Sequence, residues 1–208
     1  MPEIKDVWKP SRKFFLNIIY FILSIIIVLV IWPHKSGDNW LKILGILILV
    51  SSSYLILYLF LSHFRSEVLL VTRKTLFIIL IILSFVLLTR FVIAYAHQNL
   101  VFIIPFVIIP VVIRTFYDAR LALFILLITI MLSGFMVADS LTFIFISFIS
   151  GMVAIFTLTN IYRRAKFFFT SLMVVISYSV LYIGLNLMHD GGFSSSGITT
   201  DLIERLTK

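Results

Sequence analysis

The sequence has no cysteine, few acidic residues and no long polar segment. The absence of cysteine excludes disulfides, thiolate zinc sites and cysteine nucleophiles. Charged residues make up 12% of the 208 positions, and only nine are Asp or Glu. A soluble catalytic or ligand-binding domain needs about 50–200 residues of ordinary polarity, and no stretch of the chain provides them. We therefore expect a single membrane domain over residues 1–208.

The sequence also lacks a recognisable catalytic constellation. The four histidines (His34, His63, His97 and His189) fall in four separate gaps or span ends, without metal-ligand spacing. His189 is followed by Asp190, but the pair has no further His or Asp ligands nearby in the sequence. Intramembrane aspartyl chemistry needs two carboxylates inside apolar spans, and there are none. We therefore expect that the protein has no catalytic residues, cofactor or metal, and that it is not an enzyme.

What the sequence does contain is long apolar stretches. Hydrophobic residues make up 62% of the chain, and its mean hydropathy is +1.17. A hydrocarbon core of about 30 Å is crossed by about twenty helical residues, and the stretches do not alternate as barrel strands would. The pattern predicts an all-α polytopic membrane protein with about seven transmembrane helices, forming a bundle over 14–188. The predicted spans are 14–32, 40–61, 75–96, 100–113, 121–137, 141–161 and 167–188.

Basic residues are distributed unequally between the two sets of gaps. The gaps on the side of the N-terminal segment 1–13 hold twelve of the seventeen Lys and Arg residues, which predicts that this side is cytoplasmic. Seven crossings then leave the tail 189–208 extracytoplasmic. The net charge of +8 falls mainly at span ends, which indicates contact with anionic headgroups and not with nucleic acid.

Arg90 is the one strongly charged side chain deep within an apolar stretch. Burying a charge there costs about 2.5–3.5 kcal/mol unless it finds water or a partner. One interpretation is that Arg90 extends to the outer headgroups. The other is that it pairs with Asp139, at the outer end of the fifth predicted span.

Pro105 and Pro110 lie five residues apart in the short fourth span. Each removes a backbone donor and clashes with the preceding turn, which predicts a kink at each proline. The prolines are either merely tolerated, as in many membrane helices, or they form a hinge that lines a polar cavity.

The segment 114–120, which joins the fourth and fifth spans, holds Arg114, Asp118 and Arg120. If it is helical, Arg114 and Asp118 share one face at i,i+4 spacing. The segment is either a topology-setting loop in contact with headgroups or a docking surface for a cytoplasmic partner. In the sixth span, Ser147 and Gly151 form a small-xxx-small pair, which predicts close helix packing within the fold or, alternatively, a dimer contact.

Several segments resemble one known family. The segment 104–123, IPFVIIPVVIRTFYDARLAL, resembles the membrane region of the seven-transmembrane-receptor/HD-hydrolase family, in which two prolines precede an Arg, an Asp and an Arg-Leu-Ala. The segments 31–34, 63–67, 72–74 and 163–172 also resemble that region. The resemblance runs from about residue 14 to residue 195. It implies a bacterial inner-membrane signalling protein related to phosphodiesterases that hydrolyse cyclic di-AMP through a cytoplasmic, metal-dependent HD domain.

The sequence departs from that family in three places. A short loop at 33–39 stands where an extracytoplasmic domain is expected, and neither a last span nor an HD domain follows Met188. The family's activity is therefore not carried over. We expect a non-enzymatic membrane domain of the sensor or signal-relay type, or an accessory subunit, with a membrane-protein partner or larger complex. A small transporter or channel-like subunit is the alternative, and a hydrated cavity at mid-membrane would indicate it. A lipid-acting enzyme that uses Arg114, Asp118 and Arg120 is a third reading, although these residues include no evident base or nucleophile.

Overall fold

The protein is described here from a computed structural model, which covers residues 12–33, 40–95, 98–158 and 164–190. The described residues form helices joined by short connections, and they contain no strand. The helices are α1 (Arg12–Ile31), α2 (Trp40–Phe64), α3 (Ser66–Leu70), α4 (Thr72–Tyr95), a 3-10 helix (Gln98–Ile103), α5 (Ile108–Phe116), α6 (Ala119–Gly134), α7 (Ser140–Thr157) and α8 (Arg164–Asp190). The prediction of an all-α membrane-type protein is confirmed.

The predicted number of seven transmembrane helices is more than the structure shows. Among the described residues, four helices are long and apolar enough to cross a membrane: α2, α4, α7 and the part of α8 over Phe167–Leu185. Three further apolar segments are shorter: Phe15–Ile31, Leu100–Phe116 and Ala119–Gly134. The physical reason is plain for α6, since sixteen residues at 1.5 Å each make a helix of only about 24 Å.

The short helix α6 lies at the centre of the bundle. It packs against α2, α4, α5 and α7, and ten of its sixteen residues are buried. One of these contacts is a ring stack between Phe60 of α2 and Phe124 of α6, with centroids 3.9 Å apart. On one side of this centre α1 packs against α2 and α4, and on the other side α8 packs against α7.

The outer surface of the bundle is apolar. Large hydrophobic side chains are exposed on α1, α2, α4 and α8, among them Val30, Leu80, Phe168 and Val180. In water such a surface would be a liability, whereas the hydrocarbon of a bilayer covers it at no cost. The helix α8 is the most peripheral, because only 6% of its apolar window is buried.

The fourth apolar stretch is broken at Pro105. The 3-10 helix ends at Ile103, and α5 begins only at Ile108, so a full interruption replaces the kink predicted there. The kink predicted at Pro110 is wrong. Pro110 is the third residue of α5, in the first turn, where the missing backbone donor would have no partner within the helix in any case.

The backbone groups around this break are bonded within the protein. The amide of Ile104 donates to the carbonyl of Val101 at 3.1 Å, and that of Ile109 to Phe106 at 3.0 Å. The hydroxyl of Tyr178, on α8, donates to the carbonyl of Phe102 at 2.5 Å. Irregular backbone is tolerated at membrane depth only where neighbouring groups take over its hydrogen bonds in this way.

Candidate functional site

Several connections meet at one end of the bundle, where α2, α5 and α7 end and α3, α4 and α6 begin. This end carries several basic side chains, and we call it the basic end. Its members are Arg65, Arg73, Lys74, Arg114 and Arg120. Sequence analysis assigned these residues to one side of the membrane. The structure adds how they contact one another.

The connection between α5 and α6 is not helical. The helix α5 ends at Phe116. Tyr117 is extended, with φ −137° and ψ −172°, and Asp118 directly precedes the first residue of α6. The predicted shared face of Arg114 and Asp118 is therefore wrong, because the helix stops between them.

Asp118 instead pairs with Arg65, at the end of α2. The Arg65 Nη2 atom lies 2.8 Å from Asp118 Oδ2, and the two side chains are 42% and 31% exposed. A pair this accessible to water contributes about 0–1 kcal/mol. Its main effect is positional, since it links the end of α2 to the start of the central helix α6.

Arg114 points in a different direction. Its Nη1 atom donates a hydrogen bond to the carbonyl of Ile155, in the last turn of α7. The last four carbonyls of a helix have no partner within the helix, and the helix dipole favours a cation at that end. Arg114 therefore caps α7 from the last turn of α5.

The short helix α3 is fixed from two sides. Asn17 Nδ2, on α1, donates to the carbonyl of Leu69 at 2.6 Å, and Thr75 Oγ1, on α4, donates to the carbonyl of Val68 at 3.1 Å. Both carbonyls belong to a helix of five residues, which cannot be stable alone. These bonds hold α3 beside the Arg65–Asp118 pair.

A pocket of about 190 Å³ lies between α3 and the connection from α5 to α6. Its wall contains two basic, two acidic and three uncharged side chains: Arg65, Lys74, Glu67, Asp118, Val68, Phe116 and Tyr117. Partial burial raises the pKa of Tyr117 above its ordinary value. The phenol therefore remains protonated at neutral pH and available as a hydrogen-bond donor. We call this cavity the basic-end pocket.

Arg120 remains outside the pocket. It is exposed in the first turn of α6, and its side chain has no hydrogen bond or ion pair with any residue in the described ranges. Arg73, next to Lys74, is also exposed. Both side chains are therefore accessible to headgroups or to a partner at the basic end.

Arg90 and Asp139 are not brought together. Arg90 Nε donates to the carbonyl of Ile31, the last residue of α1, at 3.0 Å. Asp139 precedes α7 and accepts a hydrogen bond from the backbone amide of Thr142 at 3.4 Å. The hypothesis that the two residues pair is therefore wrong, because each caps a different helix end.

Ser147 and Gly151 lie on the buried face of α7. A Cβ atom added at Gly151 would collide with Cδ2 of Leu126, on α6, so the glycine allows these helices to approach closely. The pair therefore belongs to packing within this chain. Its role is structural and not chemical.

Sequence reasoning missed the basic-end pocket. It used Arg65 and Lys74 to orient the chain and within segments that carry the family resemblance, and it assigned no binding role to Glu67 or Tyr117. The available signal was that 63–74 and 114–120 both lie on the basic side and both contain an acidic residue among basic ones. Neither segment reveals its partner by itself, since Arg65 and Asp118 are far apart in sequence.

The described residues contain no group of three or more His, Asp or Glu side chains placed to hold a metal ion. His34 and His97 lie outside the described ranges, as do the tail 191–208 and the segment 1–11. The predicted topology of the tail therefore stays a prediction.

Comparison with known protein families identifies a related family. The family described as "7TM receptor with intracellular HD hydrolase" matches residues 40–206. This range begins at the first residue of α2 and includes every residue of the basic-end pocket. Comparisons with curated proteins and with solved structures give no significant match.

Proposed function

Since the chain belongs to the family of 7TM receptors with intracellular HD hydrolase, we propose that these residues form a non-enzymatic signal-relay domain of a bacterial inner membrane. In this proposal the domain acts together with a membrane-protein partner, as a relay or accessory subunit. The basic end faces the cytoplasm, and its exposed cations Arg73 and Arg120 meet anionic headgroups and the partner.

The Arg65–Asp118 contact is the observation that supports a relay. It ties the end of a long lipid-facing helix, α2, to the start of the central helix α6. The helix α6 in turn packs against α4, α5 and α7. A shift of one outer helix is therefore transmitted to the connections at the basic end, because packed helices move as rigid elements.

Transport is the rival function, and the interruption at Pro105 is the feature that favours it, since transporters use broken helices at their binding sites. Two observations weigh against it. Ile104 and Phe106, which flank Pro105, are buried apolar side chains, and the basic-end pocket lies at a bundle end instead of mid-membrane. The carbonyl of Phe102 is already bonded to Tyr178.

Orientation is tested with single cysteines, which the cysteine-free chain allows without further changes. We expect a membrane-impermeant maleimide to label Arg120→Cys only in inverted vesicles. The matched position at the other end is Ala138→Cys, which is also exposed and which we expect to be labelled in intact spheroplasts. The reverse pattern would place the basic end outside and would contradict the proposal.

The partner is tested by the mass of the assembly extracted in mild detergent. We expect the wild-type chain to run in a complex larger than itself, and the double charge reversal Arg73→Glu with Arg120→Glu to release it. Ala138→Glu, at the opposite end, should leave the complex intact. A monomer in all three cases, together with solute flux in reconstituted liposomes above that of empty ones, would favour transport.

The non-enzymatic assignment is tested separately. Purified chain incubated with cyclic di-AMP and Mn²⁺ should leave the nucleotide intact, while an HD phosphodiesterase in the same detergent consumes it. Turnover that depends on the amount of purified chain would overturn this part of the proposal.

A further inference from the structure

The basic-end pocket has charges of both signs around a cavity of small-molecule size. Its volume of about 190 Å³ is enough for one small polar group. The charged wall residues are Arg65 and Lys74 against Glu67 and Asp118, two of each sign. The pocket therefore has no net formal charge, unlike the strongly basic chain around it.

We propose that this pocket binds a phosphate group joined by a short linker to a primary ammonium, as in the headgroup of an aminophospholipid such as phosphatidylethanolamine. Lys74 and Arg65 contact the phosphate, and the carboxylates of Glu67 and Asp118 accept hydrogen bonds from the ammonium. Tyr117 adds a neutral hydroxyl donor. This inference goes beyond the proposed relay function and does not depend on it.

The existing Arg65–Asp118 pair leaves enough donors and acceptors for such a ligand. A guanidinium has five N–H donors, and the contact between Nη2 and Oδ2 uses only part of them. A carboxylate has two oxygens, so Oδ1 of Asp118 is left to accept from the ammonium. Within the described ranges, the side chains of Lys74 and Glu67 have no hydrogen bond or ion pair to lose.

The surroundings of the pocket match the apolar part of a lipid. Phe116 in its wall is 70% exposed, and Leu70 and Val71, at the end of α3, are also exposed. Phe64, at the end of α2, adds a fourth exposed apolar side chain. A headgroup in the pocket therefore places its acyl chains next to apolar side chains, where their burial contributes to binding.

The balance of charge selects between headgroups. An anionic headgroup without an amine would bring its phosphate close to two carboxylates and leave them uncompensated. A choline headgroup carries a cation without N–H donors, so it cannot donate hydrogen bonds to Glu67 or Asp118. Hydrogen bonds to charged groups are stronger than those between neutral groups, and partial exposure to water weakens them, so we expect about a threefold to tenfold preference for the primary amine.

The experiment measures thermal unfolding of the full chain in detergent while one defined lipid is titrated. We expect phosphatidylethanolamine to raise the melting temperature at about threefold to tenfold lower concentration than phosphatidylcholine or phosphatidylglycerol. Equal midpoints for all three lipids in the wild-type chain would overturn the proposal.

Variants assign the effect to the pocket. Glu67→Gln should remove the preference for the primary amine, while the matched control Asp139→Asn, an acidic residue at the other end, should retain it. Lys74→Gln should weaken binding of phosphatidylethanolamine and phosphatidylcholine alike, while Lys42→Gln, an exposed lysine near the start of α2 at the other end of the bundle, should not. Retention of the full preference in Glu67→Gln would contradict the assignment.

Two further arms keep the test decisive. If Glu67→Gln does not fold, the wild-type chain is titrated with mono- and dimethylated phosphatidylethanolamine, and the midpoint should rise as N–H donors are lost; a flat series would overturn the proposal. Soluble glycerophosphoethanolamine distinguishes the source. If only the lipid raises the melting temperature, the ligand is a membrane lipid. If the soluble compound raises it equally, the pocket binds the same chemical group on a free metabolite.

Discussion

The guanidinium of Arg114 donates a hydrogen bond to the carbonyl of Ile155 and so caps the end of α7. Arg90 does the same for α1, through the carbonyl of Ile31. Both arginines follow apolar sequence, and both satisfy a carbonyl at the C-terminus of a neighbouring helix. The sites are favourable because an unpaired carbonyl and the negative end of a helix dipole are at the same place.

Removal of the Arg114 cap should destabilise the protein. Arg114→Met keeps an unbranched side chain but leaves the Ile155 carbonyl without this donor, which costs about 1–3 kcal/mol. We expect a lower melting temperature in detergent, with Arg120→Met, which removes an exposed and unbonded arginine, as the control. Equal effects of the two substitutions would contradict the capping role.

Arg90 and Asp139 should act independently. Arg90→Met should lower stability through loss of the α1 cap, and Asp139→Ala should cost about 1 kcal/mol through loss of the α7 N-cap. Asp139→Asn should cost little, because Asn is also a good N-cap residue. In a double-mutant cycle of Arg90→Met and Asp139→Ala, the two effects should add within about 0.5 kcal/mol. A coupling well above that value would restore a direct interaction.

Tyr178 should support the break in the fourth apolar stretch. Tyr178→Phe removes the donor to Phe102 and leaves that carbonyl unpaired, which should lower the free energy of unfolding by about 1–2 kcal/mol. Tyr182→Phe is the control, since Tyr182 lies on the same helix but is 48% exposed. The prediction is wrong if both variants have the same melting temperature as the wild-type protein.

Gly151 should not tolerate even one added methyl group. In Gly151→Ala the new Cβ collides with the buried Leu126, and overpacking of this kind costs about 1–3 kcal/mol. The control is Gly184→Ala, where no atom lies within 4 Å of the added Cβ. In a Leu126→Ala background the cost of Gly151→Ala should fall, and an undiminished cost would rule out this contact as the cause.

The sequence predicts well what depends on composition and local pattern. Long apolar stretches predict membrane helices, and the start of the second span at Trp40 agrees with the structure. Pro105 predicts an irregular fourth stretch, because a proline in a helix interior removes a donor wherever it lies. Residues 104–123 also indicate the correct family.

Contacts between distant segments are less predictable. The local sequence does not indicate that Asp118 pairs with Arg65, or that Arg114 bonds to the end of α7, because both contacts depend on where α5 ends. The number of crossings was overestimated for a related reason. Hydropathy measures apolarity, and a buried helix such as α6 is as apolar as one that faces lipid.

The central position of α6 frees it from a constraint that acts on the outer helices. The bilayer adjusts its thickness only to the helices that it contacts, so the energetic cost of hydrophobic mismatch arises at the outer helices of the bundle. The central helix α6, about 24 Å long, can therefore end short of the bilayer surface without deforming the surrounding lipid. The length of α6 can therefore change without a mismatch cost, while the outer helices alone match the thickness of the membrane.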